Sequence, residues 1–275
     1  MTFTEIANGV YVLRQPLFDV NATVVTGAEA VIVVDSLSTA RQATELLAAV
    51  RQVSAEPLVL VNTHHHFDHT FGNATLTAAS PGAAIWAHGA VADVLRQHPD
   101  RVRREAYDEC VLTHPELADE VLEVTVAPPD RLVQTVAVLD IGGRTVTLRH
   151  LGRGHTDGDL VARVDDTGTI VAGDLVEQGA PPSFDDAYPL DWPETLAALI
   201  ADADPDAAVV PGHGAVVDLA FVRDQHTELT DLAWLIREGH LDGAPAEAVA
   251  AKAAFGPQRS LVAVRRGYAE LAGLS

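Results

Sequence analysis

The sequence predicts an α/β protein in which two β-sheets pack face to face, with helices on the outside, in a single domain. Strand-like segments outnumber helix-like segments in both halves of the chain, and helix-like segments flank each run of strands. Three predicted strands, 144–151, 159–164 and 169–174, follow one another without a helix between them. A doubly wound parallel sheet needs a helix after nearly every strand, so this run favours two separate sheets.

The first part of the chain is predicted to form strands followed by a helix. Apolar and β-branched residues between turn residues predict strands at 9–15, 21–27 and 30–36. Residues 38–53 begin with Ser and Thr and then place apolar residues at helical spacing, which predicts a capped amphipathic helix. The apolar segment 57–63 is typical of a strand that is buried on both faces.

The rest of the chain contains a charged insertion and a helical tail. Residues 99–128 are charged and irregular, and they predict a helical insertion between the two halves of the fold. The segment from about 218 to 275 is predicted to be a tail of helices in the same domain, 1–275. The other predicted elements are strands at 83–88, 131–140 and 207–213 and helices at 89–98 and 192–203.

The composition favours a cytoplasmic protein that acts on a small molecule. The chain of 275 residues has 39 acidic and 18 basic side chains and a net charge of −21, which would repel nucleic acid. There is no apolar run of the roughly 20 residues that a membrane span needs, and no signal peptide is recognisable at the N-terminus. The one cysteine, Cys110, cannot form an internal disulfide and is expected to have no special role. Alanine-rich C-terminal helices are compatible with a homodimer.

The segment NTHHHFDH, residues 62–69, places four histidines and an aspartate directly after a predicted buried strand. His64 and His66 are two positions apart, so they point to the same side of an extended segment, and His65 points away. Asp68 and His69 follow in a predicted turn and can reach the same region. Such a dense cluster is uncommon in a core because each ring has a donor and an acceptor to satisfy. We therefore predict a metal site, in which His65 takes no part.

Three further candidate ligands follow or lie between later strands. His155 lies in the glycine-rich segment GRGHTDGD, Asp174 ends the apolar segment IVAGD, and His213 stands between two glycines in VVPGHG. A buried carboxylate without a partner would be costly, which favours a cation near Asp174. Each strand is expected to deliver its polar residue to the same edge of the fold.

The series H-x-H-x-D-H, G-H-T, G-D and G-H-G resembles the ligand series of the metallo-β-lactamase-fold hydrolases, and the resemblance extends from the N-terminal strands to at least 211–214. It implies a four-layer αβ/βα sandwich with the site at one edge of the two sheets. It also implies two divalent metal ions, with zinc as the default and iron or manganese as alternatives. The resemblance assigns His64, His66 and His155 to one ion, Asp68, His69 and His213 to the other, and Asp174 to both.

The resemblance is closest to the glyoxalase II-like group, including its branch linked to sulfur oxidation, in the motif THHHFDHTFGN. It implies that a metal-bridging hydroxide, oriented by Asp68 as the catalytic residue, attacks a small ester or thioester carbonyl. Metallo-β-lactamases proper carry cysteine or serine where this chain has Asp174, which disfavours antibiotic hydrolysis. Two alternatives keep the same motifs: an N-acyl homoserine lactonase-like enzyme, and an iron-dependent persulfide dioxygenase with one iron on the equivalents of His64, His66 and Asp174.

Two segments are expected to shape the substrate pocket. Residues 175–191 contain three prolines and predict a semi-rigid loop over the site, in which Phe184 and Tyr188 would line an acyl pocket. Arg153, two residues before His155, would meet a substrate carboxylate. The insertion at 99–128 would form a second wall.

Overall fold

The computed structural model describes residues 1–274, which form two β-sheets packed face to face between outer layers of helices. Within these residues the first sheet has seven strands in chain order: β1 (Thr4–Ala7), β2 (Val10–Arg14), β3 (Asn21–Thr26), β4 (Val31–Val34), β5 (Leu58–Val61), β6 (Ile85–His88) and β7 (Arg131–Val133). The second sheet has five: β8 (Val136–Asp140), β9 (Thr145–Arg149), β10 (Val161–Val164), β11 (Thr169–Glu177) and β12 (Val209–His213). Their spatial order is β12-β11-β10-β9-β8.

The helices connect the strands and cover both sheets. They are α1 (Ala40–Val53), α2 (Phe67–Thr70), α3 (Asn73–Ala79), α4 (Gly89–Gln97), α5 (Pro99–Thr113), α6 (Ala118–Leu122), α7 (Trp192–Asp202), α8 (Leu219–Leu241), α9 (Ala246–Ala250) and α10 (Pro257–Leu271), with a 3₁₀ turn at Pro115–Leu117. None of the helices in residues 1–274 is long and apolar enough to cross a membrane.

Separate apolar cores hold the layers together. Ile32 and Val61 from the first sheet meet Leu148 and Val171 from the second sheet in the core between the sheets. Helix α1 packs on the outer face of the first sheet, while α7, α8 and α10 cover the outer face of the second. The predicted four-layer αβ/βα sandwich is therefore confirmed.

The central strands are buried because both of their faces are covered. All four residues of β4 and all nine residues of β11 are buried, as expected for strands with near-continuous apolar sequences. Strands β4, β5, β6 and β7 are parallel, so their C-terminal ends lie at the same edge of the sheet.

Hydrogen bonds join the two sheets at the edge where the predicted site residues lie. The Asn21 side-chain amide donates to the carbonyls of Pro211 and Gly214, at 2.9 Å each. The amide of Leu160 donates to the carbonyl of Thr63 at 2.7 Å. The start of β3 is thereby joined to the end of β12, and the end of β5 to the segment before β10.

The largest difference from the sequence prediction lies at 131–140, which forms two strands in different sheets. β7 pairs with β6 in the first sheet, and β8 pairs with β9 in the second. No glycine or proline marks this change of sheet in the sequence. Because β7 still belongs to the first sheet, the helices at 99–128 lie inside that sheet's chain path and connect β6 to β7, not one half of the fold to the other.

Candidate functional site

The seven predicted metal ligands come together at one edge of the sandwich. They form two groups in which each residue offers one ligand atom and these atoms lie within 4.8 Å of one another. The first group contains His64, His66, His155 and Asp174, and the second contains Asp68, His69 and His213. Asp68 and His69 lie in the short helix α2, where the sequence predicted a turn.

In the first group, three imidazole rings direct one nitrogen each towards a common point. His66 Nδ1 lies 3.1 Å from His64 Nε2 and 2.9 Å from His155 Nε2. Asp174 Oδ2 lies 3.7 Å from His64 Nε2 and 3.3 Å from His155 Nε2. Three nitrogens and one carboxylate oxygen therefore face the same small volume.

The second group has the same construction. His69 Nε2 lies 3.4 Å from His213 Nε2, and Asp68 Oδ2 lies 3.7 Å and 3.4 Å from these two nitrogens. Asp174 contacts this group as well, because its Oδ1 is 3.2 Å from His69 Nε2 and its Oδ2 is 3.3 Å from His213 Nε2. The carboxylate of Asp174 thus lies between the two groups.

A relay of hydrogen bonds starting at Asp35 fixes the tautomers of His64 and His69. Asp35 Oδ2 accepts from His69 Nδ1 and from the hydroxyl of Thr63, each at 2.8 Å. Because the Thr63 hydroxyl donates its only proton to Asp35, it accepts from His64 Nδ1 at 3.0 Å. When each ring holds a single proton, as metal binding requires, that proton is therefore on Nδ1 and the Nε2 lone pair faces the centre.

His213 and His66 are oriented by their outer nitrogens in the same way. His213 Nδ1 donates to the carbonyl of Phe18 at 2.7 Å, which leaves Nε2 for the centre. His66 is turned over, since its Nε2 contacts Asp186 at 3.2 Å and its Nδ1 faces inwards. Such outer partners fix the orientation of metal-ligating imidazoles.

The residues fit a pair of divalent cations. Imidazole nitrogens from different rings meet at 2.9 and 3.4 Å, so one cation can accept a lone pair from each of them. Asp174 is only 5% exposed, and its Oδ1 has no hydrogen-bond partner in the described part of the chain. A buried, unpaired carboxylate oxygen is costly unless a cation is close to it.

The titration behaviour of the histidines agrees with a site built for cations. Burial alone would lower the pKa of His66, but Asp186, Asp174 and Asp68 together outweigh it and the pKa rises to about 9. Burial would also lower the pKa of His213, but Asp174, Glu177 and Asp68 together raise it to about 10. In contrast, burial lowers the pKa of His155 to about 4. Without metal, protons occupy part of the space between the acceptors, and a metal ion would have to displace them.

Gly212 leaves the space that the carboxylate of Asp174 occupies. A Cβ added to Gly212, on the neighbouring strand β12, would lie 1.7 Å from Asp174 Oδ1. No side chain fits at this position without moving the carboxylate. The glycine next to His213 is therefore needed for the close approach of two strands.

The loop after β11 reaches the site through Asp186 and not through its aromatic residues. Asp186 contacts His65 Nε2 as well as His66 Nε2, each at 3.2 Å. The guanidinium of Arg266, in α10, donates to the main-chain carbonyls of residues 185–187 and holds this part of the loop in position. His65 belongs to neither of the two ligand groups, but it shares Asp186 with His66.

The expectation that Phe184 lines a substrate pocket is wrong. Its ring is fully buried and packs against Trp192 and Phe255 in the core beneath the second sheet. Tyr188 is half-buried and stacks on the guanidinium of Arg153, whose Cζ lies 4.2 Å from the ring centre.

Arg153 also has an acidic partner of its own. Its Nε donates to Asp191 at 2.8 Å, so its charge is already paired. Contact of Tyr188 or Arg153 with a substrate stays a prediction. Cys110 is buried in α5, and burial raises the pKa of its thiol to about 12.

Three acidic residues at the site were not recognised in the sequence: Asp35, Asp186 and Glu177. Asp35 follows the buried strand β4, just as Asp174 lies in a buried strand, so the rule that selected Asp174 could have found it. Asp35 also has a positive φ of 65°, which aspartate adopts more readily than most residues. Nothing in the sequence distinguishes Asp186 from its neighbour Asp185.

Comparison with known proteins agrees with this architecture. Residues 16–213 match the family described as the Metallo-beta-lactamase superfamily, whereas no curated protein matches the chain. A metallo-beta-lactamase from Pontibacter korlensis is 19% identical, with a TM-score of 0.67 over 83% of this chain and 98% of that one. The mono-zinc form of the metallo-beta-lactamase FIM-1 from Pseudomonas aeruginosa is 18% identical, with a TM-score of 0.62 over 84% and 95%. At such identities the likeness to the solved structures shows the fold alone. With the family match over most of its length, the chain belongs to the metallo-beta-lactamase superfamily.

Proposed function

We propose that this protein is a hydrolase that uses two divalent metal ions, zinc by default, to cleave a small ester or thioester. The observation that carries the proposal is the position of Asp174, whose carboxylate contacts nitrogens of both ligand groups at 3.2–3.7 Å. A carboxylate shared in this way is suited to bridge two cations. Open sites of histidine and carboxylate ligands are typical of catalysis, whereas closed thiolate sites are typical of structural zinc.

When bound, the two ions would supply a hydroxide at neutral pH and polarise the carbonyl that it attacks. His64, His66 and His155 would hold one ion, and Asp68, His69 and His213 would hold the other. The protein's own part is to present the free nitrogens, which the contacts of Asp35, Phe18 and Asp186 achieve through the outer nitrogens.

Asp68 is assigned the positioning of the attacking water as well as a place in the second group. It lies in the first turn of α2 and is buried, with its Oδ2 3.4 Å from His213 Nε2. A carboxylate accepts a proton or a hydrogen bond from water through whichever oxygen is free. It is the one carboxylate of the predicted ligand set that is not shared between the two groups.

The choice of an ester or thioester rests on the resemblance of THHHFDHTFGN to the glyoxalase II-like group. The net charge of −21 supports a small substrate over a polyanion. The site also offers no thiol, because Cys110 is buried among apolar residues of α2, α4 and α5.

The proposal is tested with a panel of short-chain thioesters, esters and lactones, assayed on metal-loaded wild type and on Asp174→Asn. We expect thioester or ester turnover by wild type and a loss of at least a hundredfold in kcat/KM in the variant. Asp224→Asn, an exposed change on α8, serves as the control and should match wild type. Undiminished turnover by Asp174→Asn would contradict the proposal, and turnover of lactones alone would favour the lactonase.

The persulfide dioxygenase stays a second candidate because His64, His66 and Asp174 form a two-histidine, one-carboxylate set within the first group. Such a set is typical of non-haem iron enzymes that use oxygen. Oxygen consumption by the iron-loaded protein with a low-molecular-weight persulfide would support this candidate over hydrolysis.

A further inference from the structure

Glu177 lies next to the second ligand group, although it has no place in the predicted ligand series. It is the last residue of β11, three positions after Asp174, and it pairs in parallel register with His213 of β12. Its side chain is only 8% exposed. One of its carboxylate oxygens lies within 4.8 Å of the ligand atoms of Asp174 and His213, with which it forms a group able to hold a metal.

The backbone at Glu177 is fixed by a buried side chain. Gln225, in α8, accepts a hydrogen bond from the Glu177 amide at 3.0 Å and donates to the carbonyl of Leu175 at 2.8 Å. Gln225 is itself buried. The end of β11 therefore has a defined position, and the carboxylate is held towards the site by the fold.

Glu177 and Asp174 place two buried carboxylates side by side. Like charges this close in a desolvated place oppose each other, and in the described residues the ion-pair partners of Asp174 are the ligand histidines themselves, so a metal ion between the two carboxylates would offset their repulsion. Two divalent ions carry four positive charges, and the predicted ligands supply two negative charges, from Asp68 and Asp174. A further carboxylate brings the site closer to neutrality.

We propose that Glu177 is an additional carboxylate of the second metal position and makes that position suited to a harder divalent ion such as Mn²⁺. The inference rests on the proposed two-metal function. The first position offers three imidazole nitrogens and the shared Asp174, whereas two overlapping groups meet at His213, one with Asp68 and His69 and one with Asp174 and Glu177, so carboxylates predominate there. Imidazole suits zinc, and carboxylate suits manganese, so the two positions differ in the ion that each prefers.

The test is metal binding to chelator-treated protein, with free Mn²⁺ counted by electron paramagnetic resonance and Zn²⁺ followed by a competing indicator. Wild type should bind two Mn²⁺ per chain. Glu177→Gln should lose about 10- to 100-fold in affinity for one of them, the range seen when supporting groups of metal sites are removed, and should lose less for Zn²⁺. Glu228→Gln removes the same charge at an exposed position of α8 and should bind both ions like wild type.

Equal Mn²⁺ affinities of Glu177→Gln and wild type would overturn the inference while leaving the two-metal function intact. Wild type that binds two Zn²⁺ but only one Mn²⁺ would also overturn it. Wild type that binds neither ion would overturn the proposed function as well. If Glu177→Gln does not fold, as judged by circular dichroism, Glu177→Asp keeps the charge but shortens the side chain. Unchanged Mn²⁺ binding in that variant would count against the inference in the same way.

Discussion

Asp35→Asn tests the relay that orients the histidines, because it replaces one carboxylate oxygen with an NH₂ group without changing the shape of the side chain. Asp35 Oδ1 accepts from the Thr63 amide, and Oδ2 accepts from the Thr63 hydroxyl and from His69 Nδ1, all at 2.8 Å. In the variant, the oxygen can stay with the Thr63 amide, and the NH₂ group then occupies the place of Oδ2. Asparagine also tolerates the positive φ at this position.

The NH₂ group would reverse two tautomers. It donates to His69 Nδ1, which must become an acceptor, so the His69 proton moves to Nε2. It also donates to the Thr63 hydroxyl, which then turns its own proton towards His64 Nδ1 and moves that ring's proton to Nε2. Both metal positions therefore lose a lone pair. We expect each ion to bind about 10- to 100-fold more weakly, which is about 1.4–2.8 kcal/mol per ion.

The assay is competition against a chelator for each ion, with histidine tautomers followed by ¹⁵N NMR of the metal-free protein at a pH high enough for each ring to hold one proton. Thr63→Val is the matched variant, because it removes the hydrogen bond between the Thr63 hydroxyl and His64 Nδ1 and leaves the Asp35–His69 hydrogen bond in place. It should weaken one ion only. Wild-type affinity for both ions in Asp35→Asn, or tautomers unchanged from wild type, would refute the reasoning.

Three other perturbations separate the ligands from their neighbours. Gly212→Ala should lower metal occupancy at least tenfold, because its Cβ would lie 1.7 Å from Asp174 Oδ1; full occupancy by elemental analysis would show that the strand can move aside. His65→Ala should bind both ions like wild type, since this ring lies outside the two groups, and loss of an ion would make His65 a ligand. The raised pKa values of His66, about 9, of His213, about 10, and of His69 mean that metal must displace protons from all three rings. Metal affinity measured by chelator competition should therefore rise between pH 6 and 9, by up to tenfold per pH unit for each proton displaced, and an affinity independent of pH would contradict these protonation states.

The layers of the fold could be predicted from the sequence because the buried strands are apolar and the helices are amphipathic. The short helices α2 and α3 were missed because they are too short to show a helical period, and Phe67–Thr70 is a single turn. The division of 131–140 was missed because an apolar segment can change sheet without a turn residue, and strand pairing is not visible in local sequence.

Residues that face the metal positions were easier to predict than the residues that support them. His64 and Asp174 stand out because a polar group next to a buried apolar strand is costly unless it binds a partner there. Thr63 and Asp186 are residue types that are common on any protein surface, and only the folded structure shows that they contact ligand histidines. The prediction that Phe184 lines the substrate pocket failed because an aromatic residue in a loop can equally belong to the core, as this one does.

The most direct test of the two-metal site is elemental analysis of the purified protein, by mass spectrometry, after expression in medium supplemented with zinc, iron and manganese. Close to two divalent ions per chain, with zinc as at least one of them, is the predicted result. Close to one iron per chain with little zinc would contradict the proposed hydrolase function and favour the persulfide dioxygenase. Less than one ion per chain of any kind would contradict the metal site itself.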